Sequence, residues 1–265
     1  MTRPFRDCIF GRVDQEILRG GVNAVVRRGS LLHRPAGPWS PTVQALLRHL
    51  ADAGFPGAPR AHGFDDDGHE IVDFVAGDVP GYPMPDYVWS SETLVATARL
   101  LRAYHEATAG FAADGPWYQP AREPAEVVCH GDVAPYNTVF RAGHPVALID
   151  FDTAHPGPRV WDIAYAVYRF VPLGGPANHD RRGTVAEQAD RVRLFCDAYG
   201  LPAADRAQLP AVVEERARAM AELIRGRAAA GDAAFARHLA EGHADLYDSD
   251  AAYVREHAAA FAEGL

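Results

Sequence analysis

A two-lobed α+β fold, with a β-rich N-terminal lobe carrying one main helix and a largely helical C-terminal lobe, is predicted by three features of this sequence. Short apolar stretches alternate with turn residues near the N-terminus, and helical apolar spacing dominates after residue 90. One hairpin pattern, near residues 127–149, interrupts the helical half.

Each element follows from local chemistry. Between residues 15 and 34, Gly20-Gly21, Ala24-Val25-Val26, Arg28-Gly29-Ser30 and Leu31-Leu32 before Pro35 read as an antiparallel meander. Ser40-Pro41 supplies an N-cap and an N1 proline, Val43, Leu46, Leu47 and Leu50 recur at helical spacing, and Gly54 stops the helix. Residues 68–75 read as one more strand. Gly77, Gly81 and the prolines up to Pro85 then break regular structure, which puts a lobe boundary near residue 76 and divides the chain into 1–76 and 77–265. Ser90-Ser91-Glu92 starts a helix through Leu94, Ala98, Leu101 and His105 to about Gly110. From Ala203 onward the chain is alanine-rich and helical, with breaks expected at Gly231-Asp232 and around Asp248-Ser249-Asp250.

Composition narrows the classes. With 265 residues, 48% hydrophobic and 23% charged, the chain can bury a globular core. A formal charge of −9 disfavours a broad phosphate-binding surface, so nucleic acid is excluded as a main partner and a cationic or neutral ligand is expected. Cys8, Cys129 and Cys196 are far apart and odd in number, which suits a reducing cytoplasm. No sustained apolar run follows the N-terminus and none approaches the ~18 residues of a membrane helix, so neither export nor a membrane span is expected. Oligomeric state is left open. All 26 basic residues are arginine.

The chemistry concentrates in Val127-Val128-Cys129-His130-Gly131-Asp132-Val133-Ala134-Pro135-Tyr136-Asn137, a hairpin, and Asp150-Phe151-Asp152. The hairpin begins just after Asn137 and ends just before Asp150, so antiparallel pairing brings an amide oxygen and a carboxylate to the same end. Hard oxygen donors of this kind suit Mg²⁺. Asp132, just upstream, is placed to take a proton from an incoming hydroxyl.

His130-x-Asp132 with Asn137 five residues after the aspartate resembles the kinase catalytic loop H-x-D-x-x-x-x-N. The wording His130-Gly131-Asp132 with Pro135-Tyr136-Asn137 is more similar to the aminoglycoside phosphotransferase and choline kinase superfamily, which has a protein-kinase-like fold. Asp150-Phe151-Asp152 sits where those families carry a second metal aspartate, and Trp161-Asp162-Ile163-Ala164 resembles their downstream aspartate motif. The resemblance implies transfer of the γ-phosphoryl group of ATP or GTP, with Mg²⁺, to a hydroxyl of a small molecule. It implies Asp132 as catalytic, Asn137 and Asp150 as metal ligands, and His130, Asp152 and Asp162 in support. Gly20-Gly21 would begin the nucleotide loop and Phe74 to Ala76 would form the adenine-binding hinge. Aminoglycosides, other antibiotics, choline-like amines, amino-alcohols and sugars all fit such a scaffold as acceptors.

Several assignments stay open at this level. Gly20-Gly21 reads equally as a hairpin turn, and Asp152 as a loop cap. Kinase-like enzymes hold the α- and β-phosphates with a lysine paired to a helix glutamate, and this chain offers neither. Arg34 falls where the lysine would stand, with Arg27 and Arg28 as alternatives, and the helix from Thr42 to Ala53 carries Gln44 and His49 but no glutamate. Cys129 reads as a small buried residue, and His105, His144 and His238 receive no role. The acidic residues Glu214, Glu215, Glu222, Glu241, Asp245 and Asp248 read as a solvated helical face rather than a pocket for a polycation. A metal-dependent hydrolase using His130 and Asp132 as ligands, and an inactive kinase-like binding module, are the competing functions.

Overall fold

Strands β1 (Gln15–Arg19), β2 (Ala24–Arg28) and β3 (Leu31–Arg34) form the expected meander. The structure, a computed structural model, describes residues 15–19, 24–263 and 265. Gly20 and Gly21 lie outside the described residues. Helix α1 (Ser40–Asp52) follows, then β4 (Ala61–Phe64) and β5 (Glu70–Asp73). The strands make one antiparallel sheet in the order β1-β2-β3-β5-β4, with Arg34 of β3 opposite Glu70 of β5.

Two local expectations shift here. The helix is capped at Trp39, not Ser40; the Ser40 hydroxyl accepts a hydrogen bond from the Gly37 N–H at 3.0 Å, so the serine caps the preceding turn instead. Strand β4 has no signature of its own, because Ala61-His62-Gly63-Phe64 is short and contains a glycine. It forms because β5 is there to pair with it and because the Gln44 side chain of α1 accepts the Gly63 N–H at 2.8 Å.

Helix α2 (Ser91–Thr108) is capped by the Ser90 hydroxyl on the Thr93 N–H and buries Leu94, Ala98, Leu101, Tyr104 and His105. Strand β6 (Val127–Cys129) leads into the loop 130–137. The hairpin β7 (Thr138–Arg141) and β8 (His144–Leu148) pairs Thr138 with Leu148, as the turn at Ala142-Gly143 requires. Strand β9 (His155–Gly157) pairs with β6 although its histidine, proline and glycine are poor strand formers; the β6 backbone imposes the conformation.

Helix α3 (Arg159–Phe170) is apolar on nearly every side, with Val160 through Tyr168 all buried, so it runs through the interior. Around it lie α4 (Val185–Tyr199), α5 (Ala203–Ala229), α6 (Ala233–Ala240), α7 (His243–Glu256) and α8 (Ala258–Ala262). The break expected around Asp248-Ser249-Asp250 is absent: α7 passes through it, because Asp250 is fully buried and accepts hydrogen bonds from the Tyr168 hydroxyl, the Gly175 N–H and the Asn178 amide. One apolar cluster joins Leu46, Leu50 and Val72 to Leu101, Phe140, Phe151, Ile163 and Phe195, so the elements that frame the loop 130–137 share one core. Among the described residues no helix is long and apolar enough to cross a membrane.

Candidate active site

The loop from His130 to Asp132 is held through every one of its backbone polar groups. The His130 N–H donates to Asp162 Oδ2 at 2.7 Å and the Gly131 N–H to Asp162 Oδ1 at 2.9 Å. The His130 carbonyl accepts from the Thr153 hydroxyl, the Gly131 carbonyl from Arg216 Nη2 at 2.6 Å, and the Asp132 carbonyl from Asn137 Nδ2. The Asp132 N–H reaches His130 Nδ1 at 3.3 Å. A buried loop whose peptide groups are all paired has few alternative conformations. Gly131 adopts φ +81°, and a Cβ there would stand 2.5 Å from the Thr153 carbonyl oxygen, so only glycine fits.

Asp162, at the first turn of α3, is fully buried. Its Oδ2 also accepts from His105 Nε2 at 3.1 Å, while His105 Nδ1 accepts from the Tyr199 hydroxyl at 2.8 Å. Burial lowers the His105 imidazole below its usual range, so at neutral pH it is a neutral donor to a carboxylate rather than the cation of an ion pair. Burial alone raises Asp162, but the His105 hydrogen bond and the His130 N–H outweigh it and bring the carboxyl down to about 2. His105, Thr153 and Arg216 carry no motif that reveals them in the sequence; α2, the turn Phe151–Thr153 and α5 deliver them through space.

Asp132 and Asn137 come together directly: Asn137 Nδ2 donates to Asp132 Oδ2 at 2.9 Å, and the Tyr136 hydroxyl to Asp132 Oδ1 at 3.1 Å. Burial, reinforced by Asp150, raises the Asp132 carboxyl. The Ile149 N–H bonds the Asn137 carbonyl at 2.9 Å, which sets Asp150 beside the loop, and Asp150 sits in the left-handed region at φ +65°. His130 Nε2 donates to the Ile149 carbonyl at 3.0 Å. With Nδ1 already accepting from Asp132, neither imidazole nitrogen is free to bind a metal, which removes the hydrolase arrangement.

Arg34 closes the site from the sheet side. Its Nε donates to Glu70 at 2.6 Å, Nη1 to Asp150 at 3.1 Å and Nη2 to Asp152. Burial alone would lower the guanidinium, and the charges of Asp152, Glu70 and Asp150 more than reverse it. Burial also pushes the Asp152 carboxyl up, to about 6. The expectation that the basic residue lacks a glutamate partner is corrected: Glu70 is that partner, placed on β5 instead of α1, and Gln44 of α1 donates to its other oxygen at 2.9 Å. Motif reasoning looked on the helix, whereas the sheet register supplies the acid. Arg27 instead stacks on Phe74, 3.8 Å from the ring centre, and Arg28 is exposed.

The 74–76 segment is partly engaged. The Phe74 N–H donates to the Ser30 carbonyl at 2.8 Å, and the Ala76 carbonyl accepts from Arg141 Nε at 2.9 Å. The acidic residues of the C-terminal helices pair on the surface: Glu215 with Arg122, Glu214 with Arg218, and Asp245 and Asp248 with Arg225.

Oxygen donors from Asn137, Asp150 and Asp152 fit a hard divalent cation. The carboxylates of Asp150 and Asp152 already converge on one cation, the Arg34 guanidinium, and the amide nitrogen of Asn137 is turned to Asp132 so that its oxygen remains available. Thr138 and Leu148 hold that end of the hairpin closed.

Because Asp162 is more acidic folded than unfolded, its contribution is present above about pH 4 and is lost as pH falls through 2. A depression of nearly two units is worth on the order of 2 kcal/mol. Urea unfolding between pH 5 and 2 should therefore show a shallower pH dependence for Asp162→Asn than for wild type. Equal slopes would contradict the grip assigned to this carboxylate.

The model of the phosphotransferase enzyme family matches residues 89–195. A trifolitoxin immunity protein of Rhizobium leguminosarum bv. trifolii is 38% identical over 192 residues, which cover 69% of this chain and 72% of that protein. Among solved structures, a choline/ethanolamine kinase family protein from Mesorhizobium loti is similar with a TM-score of 0.65 at 16% identity, covering 97% of this chain and 95% of that one. The amicoumacin kinase hAmiN, solved with AMP-PNP, Ca²⁺ and Ami, aligns with a TM-score of 0.64 at 15% identity over 90% and 89% of the two chains. The chain belongs to the phosphotransferase enzyme family, and its fold is the protein-kinase-like one of the structures it resembles.

Proposed function

We propose that the protein transfers the γ-phosphoryl group of ATP or GTP to a hydroxyl of a small molecule, with the nucleotide between residues 1–76 and 77–265. The observation that carries this reading is the convergence of Asp132, Asn137, Asp150 and Arg34 from three separate segments: Asn137 bonds Asp132, and Arg34 bonds Asp150. A decayed binding module has no need of that convergence.

Asp132 accepts the proton of the acceptor hydroxyl as its oxygen bonds to the γ-phosphorus, and the bond to the bridging oxygen breaks to leave the nucleoside diphosphate. Asn137 and Asp150, with Asp152 beside them, would hold Mg²⁺, which would supply neutralisation of phosphate charge. Arg34 approaches the α- and β-phosphates with a permanently charged fork anchored by Glu70. The relative's name, an immunity protein, supports a defensive role in which phosphorylation inactivates an antibacterial compound.

Three outcomes test the assignment. Asp132→Asn should lower kcat by at least ~10²-fold while nucleotide affinity stays nearly unchanged, and near-normal turnover would remove the aspartate from the reaction. Asp150→Ala should abolish Mg²⁺-dependent nucleotide binding in a metal titration; unchanged metal dependence would place the cation elsewhere. Arg34→Ala should weaken nucleoside triphosphate binding far more than adenosine binding, with Arg28→Ala leaving both alone. Equal loss for the two ligands would reject the clamp.

A further inference from the structure

Near Asp132, one tyrosine away, lies a second arginine that the phosphoryl-transfer reading does not use. Arg169, in the last turn of α3, is largely buried among tyrosines. Its guanidinium lies 5.4 Å from the ring centre of Tyr136 and 5.6 Å from that of Tyr168. Tyr136 in turn places its hydroxyl on Asp132, so one tyrosine ring separates the cation from the base. Tyr165 and Tyr247 continue the cluster, with hydroxyl contacts at 3.2 Å from Tyr136 to Tyr165 and from Tyr165 to Tyr247.

The local acids meet this guanidinium at one edge only. Nη2 donates to the Tyr82 hydroxyl and forms an ion pair with Asp180 at 3.8 Å, and Asp180 also accepts from Tyr82 at 2.9 Å. Asp250 is committed to Tyr168, Gly175 and Asn178, and Asp132 to Asn137 and Tyr136. Arg169 Nε is buried with no acceptor. An unmet buried donor on a charged group is unfavourable, and the ligand that matches a guanidinium edge is a carboxylate. An ammonium in the same place would face a fixed cation in a site of reduced polarity.

We propose that Arg169 is the specificity-determining residue for the acceptor: it receives a carboxylate of the molecule whose hydroxyl reaches Asp132. The acceptor is then a hydroxy acid with a flat or ring-like body that packs on Tyr82 and Tyr136, and not a polycationic amino-sugar. The overall charge of −9 favours cationic ligands at the surface, and this site opposes that trend locally. The proposal rests on the phosphotransferase reading for the role of Asp132, but its test needs no turnover.

The probes are 4-(hydroxymethyl)benzoate, its carboxamide and its amidine, which share a ring and a hydroxyl and differ in charge. Binding to the full chain, with Mg²⁺ and a non-hydrolysable ATP analogue, is measured by ligand-observed NMR titration. The acid should bind at least ~10-fold tighter than the amide, and the amidine more weakly than either. Arg169→Gln should erase the acid's advantage and Arg169→Lys should restore part of it. The proposal is overturned if the amidine binds as well as the acid, if the acid-to-amide ratio survives Arg169→Gln, or if the acid does not bind the folded wild-type protein. Should Arg169→Gln lack a cooperative thermal transition, the ranking of the three probes on wild type decides alone. Failure of the phosphotransferase reading would look different: the ranking would hold while no nucleotide was consumed.

Discussion

The Asp162 carboxylate is the constraint on which the rest of the site depends. A single buried side chain accepts from two consecutive peptide N–H groups, those of His130 and Gly131, and from the His105 imidazole. Charge-assisted bonds in a buried setting are roughly twice as strong as neutral ones, and each peptide group left unmet would cost about 1–3 kcal/mol. The loop is thereby attached to α3, the most thoroughly buried helix, and inherits its rigidity. His105 adds orientation: with Nδ1 accepting from Tyr199, Nε2 must carry the proton given to Asp162.

From that anchored loop, polar contacts run outward in two directions. Towards the sheet they pass from Asp132 through Asn137 to the neighbourhood of Asp150, then through Arg34 to Glu70 and Gln44. Arginine suits this position because three carboxylates surround it, and its charge persists where a lysine's would depend on its surroundings. Glu70 is fully buried and Asp150 half exposed, so Arg34 is held firmly at its base while its tip meets groups open to a ligand. Towards the helices the contacts pass from Asp132 through Tyr136 to Tyr165, Tyr247 and Arg169. Asp132 thus lies between two arginines, Arg34 reached through Asn137 and Asp150 and Arg169 reached through Tyr136.

The surroundings of Arg169 and the net charge point in different directions here, and the reason is distance. Surface acids of α5 and α7 are paired with arginines and screened by solvent, so they say little about a ligand. Arg169 is shielded by tyrosines and keeps its influence at short range.

How much was legible in the sequence depends on how local each feature is. The meander, the helix with Leu46 and Leu50 facing inward, α2 with its Ser90 cap, and the hairpin that brings Asn137 and Asp150 to one end follow from spacing and turn chemistry alone. The His130-Gly131-Asp132 loop was legible through its resemblance to a family motif, while the demand for its glycine comes from a left-handed backbone packed against Thr153. What only the tertiary structure decided lies where a partner far along the chain supplies the cause. Strands β4 and β9 exist because β5 and β6 impose their pairing; α7 continues through Asp248-Ser249-Asp250 because Tyr168, Gly175 and Asn178 satisfy Asp250. Glu70 meets Arg34 through sheet register, not helix spacing, and Arg216, His105 and Arg169 reach the loop from helices that no periodicity connects to it. Local backbone preferences are written in neighbouring residues, whereas side-chain convergence is set by how whole elements pack, and that information is spread over the entire chain.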